Sequence, residues 1–197
     1  MFADIEFWIV AVLATCACLW TTHSHAETVE ATMYLVDEAG TGAAIGKIVA
    51  VDSPDGVTFT PALEGLPPGK HGFHVHEKPS CAPAQDPAKG KAGAAMAAGS
   101  HLDPNATKRH RGPQGEGHLG DLPILEVDDK GRSTIAVQAP RLRLADLTGR
   151  ALIIHAGADT YSDEPEKLGG GGDRIACGVI KAVRTTRCEE LRSARNP

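Results

Sequence analysis

Eight short runs rich in Val, Ile and Thr, each bounded by turn residues, restrict this chain to an all-β fold: 28–37, 43–52, 56–63, 71–77, 124–128, 132–138, 150–155 and 175–182. β-Branched side chains pack well on a pleated surface, and many short strands separated by turn signals mark a sandwich or a barrel. The clearest hairpin joins Ile124–Val127 to Ser133–Gln138 through Asp128-Asp129-Lys130-Gly131, where Asp and Gly supply the turn dihedrals. Helix signals are nearly absent. The stretch Ala92–Ala98 could form a short helix, but its Gly and Ala content suits a packed loop equally well. Two connections, 78–123 and 156–174, are long for a compact β domain, and such loops carry function or are pinned by something.

At 197 residues with 42% hydrophobic content the chain builds one ordinary core. A formal net charge of -5 gives no basic footprint for nucleic acid and no polybasic run for a membrane surface, so the expected partner is small. Phe7–Trp20 is an uncharged apolar run of 14 residues, short for a membrane span and right for the core of a signal peptide, with Ser24-His25-Ala26 offering small residues for cleavage. Asp4 and Glu6 stand where positive charges are usual. The expectation is a leader over 1–26 and export to the periplasm, with acylation of Cys16 or Cys18 as the alternative route to an anchored product. Losing the leader takes the charge to -3 and removes both tryptophans, so the core rests on aliphatic residues with Tyr34, Phe59, Phe73 and Tyr161 as its only aromatic rings.

Seven of the nine histidines lie beyond the leader: His71, His74, His76, His101, His110, His118 and His155. His74 and His76 sit two apart in an apparent strand, so both side chains leave one face, as two ligands of one metal must. Alone, that spacing describes a solvated strand face just as well. His101, His110, His118 and Asp121 are more specific, because three imidazoles and a carboxylate within one Gly- and Pro-rich loop make a complete tetrahedral zinc set with no open position. His155 closes the apolar run Ala151–Ile154 at the entrance to the second long loop.

Four motifs carry a resemblance. They are Gly65-Leu66-Pro67-Pro68-Gly69, His71-Gly72-Phe73-His74-Val75-His76-Glu77, His118-Leu119-Gly120-Asp121-Leu122-Pro123, and Gly169–Gly172 leading into Arg174-Ile175-Ala176-Cys177-Gly178-Val179-Ile180. Across residues 28–181 the sequence resembles the copper/zinc superoxide dismutases, particularly their exported bacterial branch. The resemblance implies an eight-stranded Greek-key β-barrel that disproportionates superoxide. It also implies copper on His74, His76, His101 and His155, and zinc on His101, His110, His118 and Asp121, with His101 as the shared catalytic imidazolate. Asp159 would accept hydrogen bonds from one copper and one zinc histidine, Arg174 would guide the anion, and Cys81 and Cys177 would form a disulfide. Lys89, Lys91 and Lys167 are further candidates for anion guidance. A monomer and a homodimer are both compatible with the family.

Three features depart from the pattern. Ser100 and Leu102 flank His101 where glycine and an aromatic are usual, residues 182–197 form an extension expected to be disordered, and that extension holds an unpaired Cys188. His71 has no role in the family's site and is expected to be a strand-edge residue. A copper buffer or delivery domain would call for an added thiolate site, and no Cys-x-x-Cys exists beyond the leader. A zinc hydrolase would call for an open three-ligand site with a general base.

Overall fold

The computed structural model describes residues 28–183. The expected leader over 1–26, the alternative acylation candidates Cys16 and Cys18, and Cys188 lie outside the described residues. The strands are β1 Thr28–Asp37, β2 Gly40–Ser53, β3 Gly56–Glu64, β4 Gly69–His71, β5 Phe73–His76, β6 Ala84–Asp86, β7 Lys91–Gly93, β8 Leu125–Val127, β9 Arg132–Ser133, β10 Val137–Ala139, β11 Ala151–His155, β12 Arg174–Val179 and β13 Lys181–Ala182. Every run expected from sequence carries a strand. Three of the runs are interrupted, which separates β4 from β5, β9 from β10 and β12 from β13. The Ala92–Ala98 stretch divides between β7 and a 3-10 turn at Met96–Ala98, and one short helix not foreseen, α1, spans Leu144–Leu147.

The main sheet runs β10-β3-β2-β1-β12-β11-β5, with β13 also on β1 and β9 also on β3. Every pairing in it is antiparallel. After β3 the chain crosses to β5 at the far end of this order and later returns to β3 through β9 and β10, a long-range crossover of the Greek-key kind. Ala182 pairs with Val29, and Val183 N–H donates to Thr28 O at 2.9 Å, so the ordered domain continues past Lys181.

Apolar side chains from both ends of the sheet form one core, including Met33, Ile48, Phe59, Phe73, Leu125, Leu152 and Ile154. Phe59 and Phe73 meet edge to face, with ring centroids 5.8 Å apart and planes at 84°. Leu102 joins this core at 4% exposure, so the residue that departs from the family pattern beside His101 is packed as an ordinary aliphatic.

Candidate metal centre

β5 has β11 on one edge, and the first long loop folds back along the other. Leu102 N–H donates to Val75 O at 2.8 Å and Val75 N–H donates to Gly120 O at 2.9 Å, which sets His101 opposite His76 and Asp121 opposite His74. The docking needs glycine at 120, where a Cβ would stand 2.3 Å from Val75 O and 2.9 Å from Leu102 N. Both faces of β5 are buried. Phe73 and Val75 feed the core, while the alternation turns His74 and His76 to the loop side.

His74, His76, His101 and His155 each offer a ring nitrogen within 4.8 Å of the others, and all four are buried. Three rings are oriented from behind. His76 Nδ1 donates to Gly99 O at 3.0 Å, His155 Nδ1 donates to Gly172 O at 3.0 Å, and His74 Nε2 lies 2.7 Å from Asp159 Oδ2. The opposite nitrogens, His76 Nε2, His155 Nε2 and His74 Nδ1, are buried without a hydrogen-bond partner. Stranding buried polar atoms is costly unless something else satisfies them. Burial, reinforced by the neighbouring imidazoles, pulls His74 and His76 well below the ordinary histidine range and His155 down to about 3. The cluster is therefore uncharged at neutral pH, with its lone pairs converging.

The second group is His74, His101, His110 and Asp121. Asp121 is its centre: Oδ1 lies 2.9 Å from His101 Nδ1 and 3.3 Å from His118 Nδ1, and Oδ2 lies 3.0 Å from His110 Nδ1. Tetrahedral zinc with bonds of ~2.0–2.1 Å separates its ligand atoms by about 3.3–3.4 Å. The residues around Asp121 match that spacing to within a few tenths of an ångström. His118 reaches Asp121 but falls outside the tight four-atom group, where His74 takes its place. His101 belongs to both groups.

The electrostatics fit a cation here. Burial opposes charge on Asp121, yet the three imidazoles around it hold its carboxyl well below the usual range. Burial likewise opposes charge on His110, but Asp121 and Asp159 raise it to about 9. The surrounding carboxylates thus favour positive charge at this point, which is what a bound metal ion would supply. Asp159 spans the two groups, accepting from His110 Nε2 at 2.7 Å on Oδ1 and from His74 on Oδ2.

Arg174 donates from Nη1 to Ala95 O at 2.7 Å and from Nη2 to Gly99 O at 2.8 Å. Burial lowers its pKa to about 10, leaving it a cation at neutral pH. With His101 and His155 it lines a cleft of about 620 Å³. Lys89 and Lys167 also reach that cleft, but Lys89 is paired with Asp173, and Lys91 with Glu38 at 2.6 Å.

The sequence reading missed three supports. His71 ends β4 but is buried, with Nδ1 2.7 Å from His155 O and Nε2 2.8 Å from Pro67 O; it fixes the backbone of His155 and is not a plain strand edge. Arg141 donates to the carbonyls of Gly115, Gly117 and His118 and so gathers the loop that carries His118. Asp163 accepts the His110 N–H at 2.9 Å. Apart from the local His71–Pro67 contact, these join residues 23 or more apart in the chain, and no local pattern announces them.

The copper/zinc superoxide dismutase (SODC) family model matches residues 44–180, more than half of the chain. The chain belongs to the copper/zinc superoxide dismutase family. It is 49% identical over 170 residues to a Cu-Zn superoxide dismutase of Escherichia coli K12, covering 86% of this chain and 97% of that protein. A Cu-Zn superoxide dismutase of Brucella abortus is 46% identical with the same coverage of both chains. Among solved structures, the Cu/Zn superoxide dismutase of Brucella abortus superposes with a TM-score of 0.76 at 48% identity, over 79% of this chain and 100% of that one. The monomeric copper, zinc superoxide dismutase of Salmonella enterica gives a TM-score of 0.70 at 52% identity, over 78% and 99%. Arg141 and the His71 clamp are thus parts of a dismutase fold, and Cys81 and Cys177 form its disulfide, with Cα atoms 5.7 Å apart.

Proposed function

We propose that this chain disproportionates superoxide to dioxygen and hydrogen peroxide, with copper on His74, His76, His101 and His155 and zinc on His101, His110, His118 and Asp121. The observation that carries the reading is the convergence of the unpartnered nitrogens of His74, His76 and His155 beside His101, which itself contacts Asp121. Bound copper supplies the one-electron redox chemistry, and zinc supplies fixed charge and loop order. The protein's part is to hold neutral imidazoles in place through Gly99, Gly172 and Asp159, to exclude bulk water from them, and to present Arg174 to an entering anion.

The test is copper and zinc content of the purified protein together with superoxide consumption before and after copper is stripped. The expected result is both metals at the chain concentration, with activity lost and regained alongside copper. Two bound metals without copper-dependent turnover would overturn the catalytic reading.

Arg174 is the proposed guide. With a chain of net negative charge, only local positive charge attracts superoxide. Arg174→Gln is expected to lower kcat/KM about tenfold at low salt, the low end of the steering range, and to flatten its ionic-strength dependence while metal content stays the same. Arg174→Lys should restore the salt dependence. An unchanged salt profile in Arg174→Gln would exclude guidance.

The disulfide supports the same centre, because it ties the first long loop to β12. Its loop of 96 residues limits the unfolded chain by an entropy worth ~4–5 kcal/mol in the chain-entropy treatment. Reduction is expected to speed zinc loss to a chelator; an equal rate of loss from the reduced and the oxidised protein would contradict this. The bridge also favours an oxidising compartment, which with the apolar segment Phe7–Trp20 supports export to the periplasm. Cell fractionation with reporter fusions checks that assignment.

A further inference from the structure

Tyr161 adopts a left-handed backbone conformation, φ 57°, which a bulky side chain takes only under constraint. In that conformation its N–H donates to Asp159 Oδ1 at 2.7 Å. This is the oxygen that also accepts from His110 Nε2, while Oδ2 accepts from His74 Nε2. Without the Tyr161 N–H, Asp159 would hold its two histidines with one fewer restraint on carboxylate rotation.

The tyrosine side chain is seated at two points on the first long loop. Its hydroxyl oxygen accepts the Ile124 N–H at 2.8 Å. Its ring lies so close over Gly112 that a Cβ there would stand 2.7 Å from the ring's Cγ. Ring, hydroxyl and strained peptide therefore act as one strut between the two long loops.

We propose that Tyr161 is a positioning residue for Asp159: seated on Gly112 and Ile124, it holds the peptide whose N–H sets the carboxylate that aims both His74 and His110. This rests on the reading of those histidines as metal ligands. Losing the partner of a ligating histidine costs ~10–100-fold in metal affinity, and Tyr161 acts one contact further out.

The test measures zinc affinity and the visible spectrum of the protein with cobalt(II) in the zinc position, which reports ligand geometry. The variants are Tyr161→Phe, Tyr161→Ala and Gly112→Ala, with Asp159→Asn as reference. The zinc Kd is expected to rise a few fold in Tyr161→Phe and about tenfold in Tyr161→Ala, the low end of that range. Gly112→Ala, which evicts the ring from the other side, should follow Tyr161→Ala. The cobalt band should move in each variant toward its position in Asp159→Asn. A purely structural role would lower the unfolding midpoint but leave the zinc Kd and the cobalt band of the folded protein at wild-type values, and that result would overturn the proposal. If Asp159→Asn also binds zinc as the wild type does, the reading of the bridge falls and the Tyr161 role falls with it. If only Asp159→Asn is impaired, the Tyr161 role alone is wrong. Should Tyr161→Ala fail to fold, Tyr161→Phe decides, because it keeps the ring and the backbone.

Discussion

His155→Ala is expected to abolish copper uptake and reduce superoxide consumption to that of copper-stripped protein, with zinc retained at the chain concentration. The separation is expected because His155 stands only in the four-histidine group, whereas the Asp121 group is complete without it. Alanine preserves the backbone that matters: the His155 carbonyl still accepts from His71, and its N–H still donates to Gly72 O at 2.8 Å. The imidazole's own Nδ1–H bond to Gly172 is lost with the ring, and the Gly172 carbonyl turns to water at the cleft. Metal analysis after dialysis, alongside a superoxide assay, reads both effects at once. Equal loss of copper and zinc would mean that the two groups do not act separately.

Phe73→Ala is expected to cost about 3–5 kcal/mol of unfolding free energy, measured on metal-free protein by denaturant titration. Phe73 is fully buried, packs edge to face on Phe59, and lies on β5 directly before His74. The cavity left there removes a large share of a domain stability that is only ~5–15 kcal/mol in total. Ile135→Ala, at a side chain 60% exposed, is the control and should change stability by less than about 0.5 kcal/mol. A similar change in both variants would show that the two-ring contact does not anchor the core. Because the core and site faces of β5 alternate residue by residue, Phe73→Ala should also loosen copper retention in the loaded protein.

The sequence made the strands legible because Val, Ile and Thr runs and turn residues act locally. It made the candidate ligands legible because His74 and His76 share a face and His101 to Asp121 crowd one loop. What it hid was non-local. Nothing around His71 says that its ring will meet the carbonyl of His155, and nothing around Arg141 says that it will collect carbonyls of the first long loop. The break at Gly72 has a similar origin. Gly72, between β4 and β5, donates its N–H to Gly157 O on the second long loop at 2.8 Å. A partner 85 residues away takes a ladder position that local pattern assigned to a continuous strand. His118 is a different case: its type and spacing make it a candidate ligand, while its ring reaches Asp121 without joining the tight four-atom group.

The antiparallel pairing of β1 with β12 carries a consequence for how the chain comes into being. β1 is made early relative to its partner, and Tyr34 and Leu35 find Cys177 and Ala176 only after about 140 further residues have been made. Until then β1 has β2 on one side and an open row of backbone donors and acceptors on the other, a template for pairing with another chain. The same long-range closure raises contact order and slows folding. Nascent chains of this protein therefore need either protection of that edge or a delay in collapse until β12 emerges, and truncation before residue 176 should give a product that self-associates.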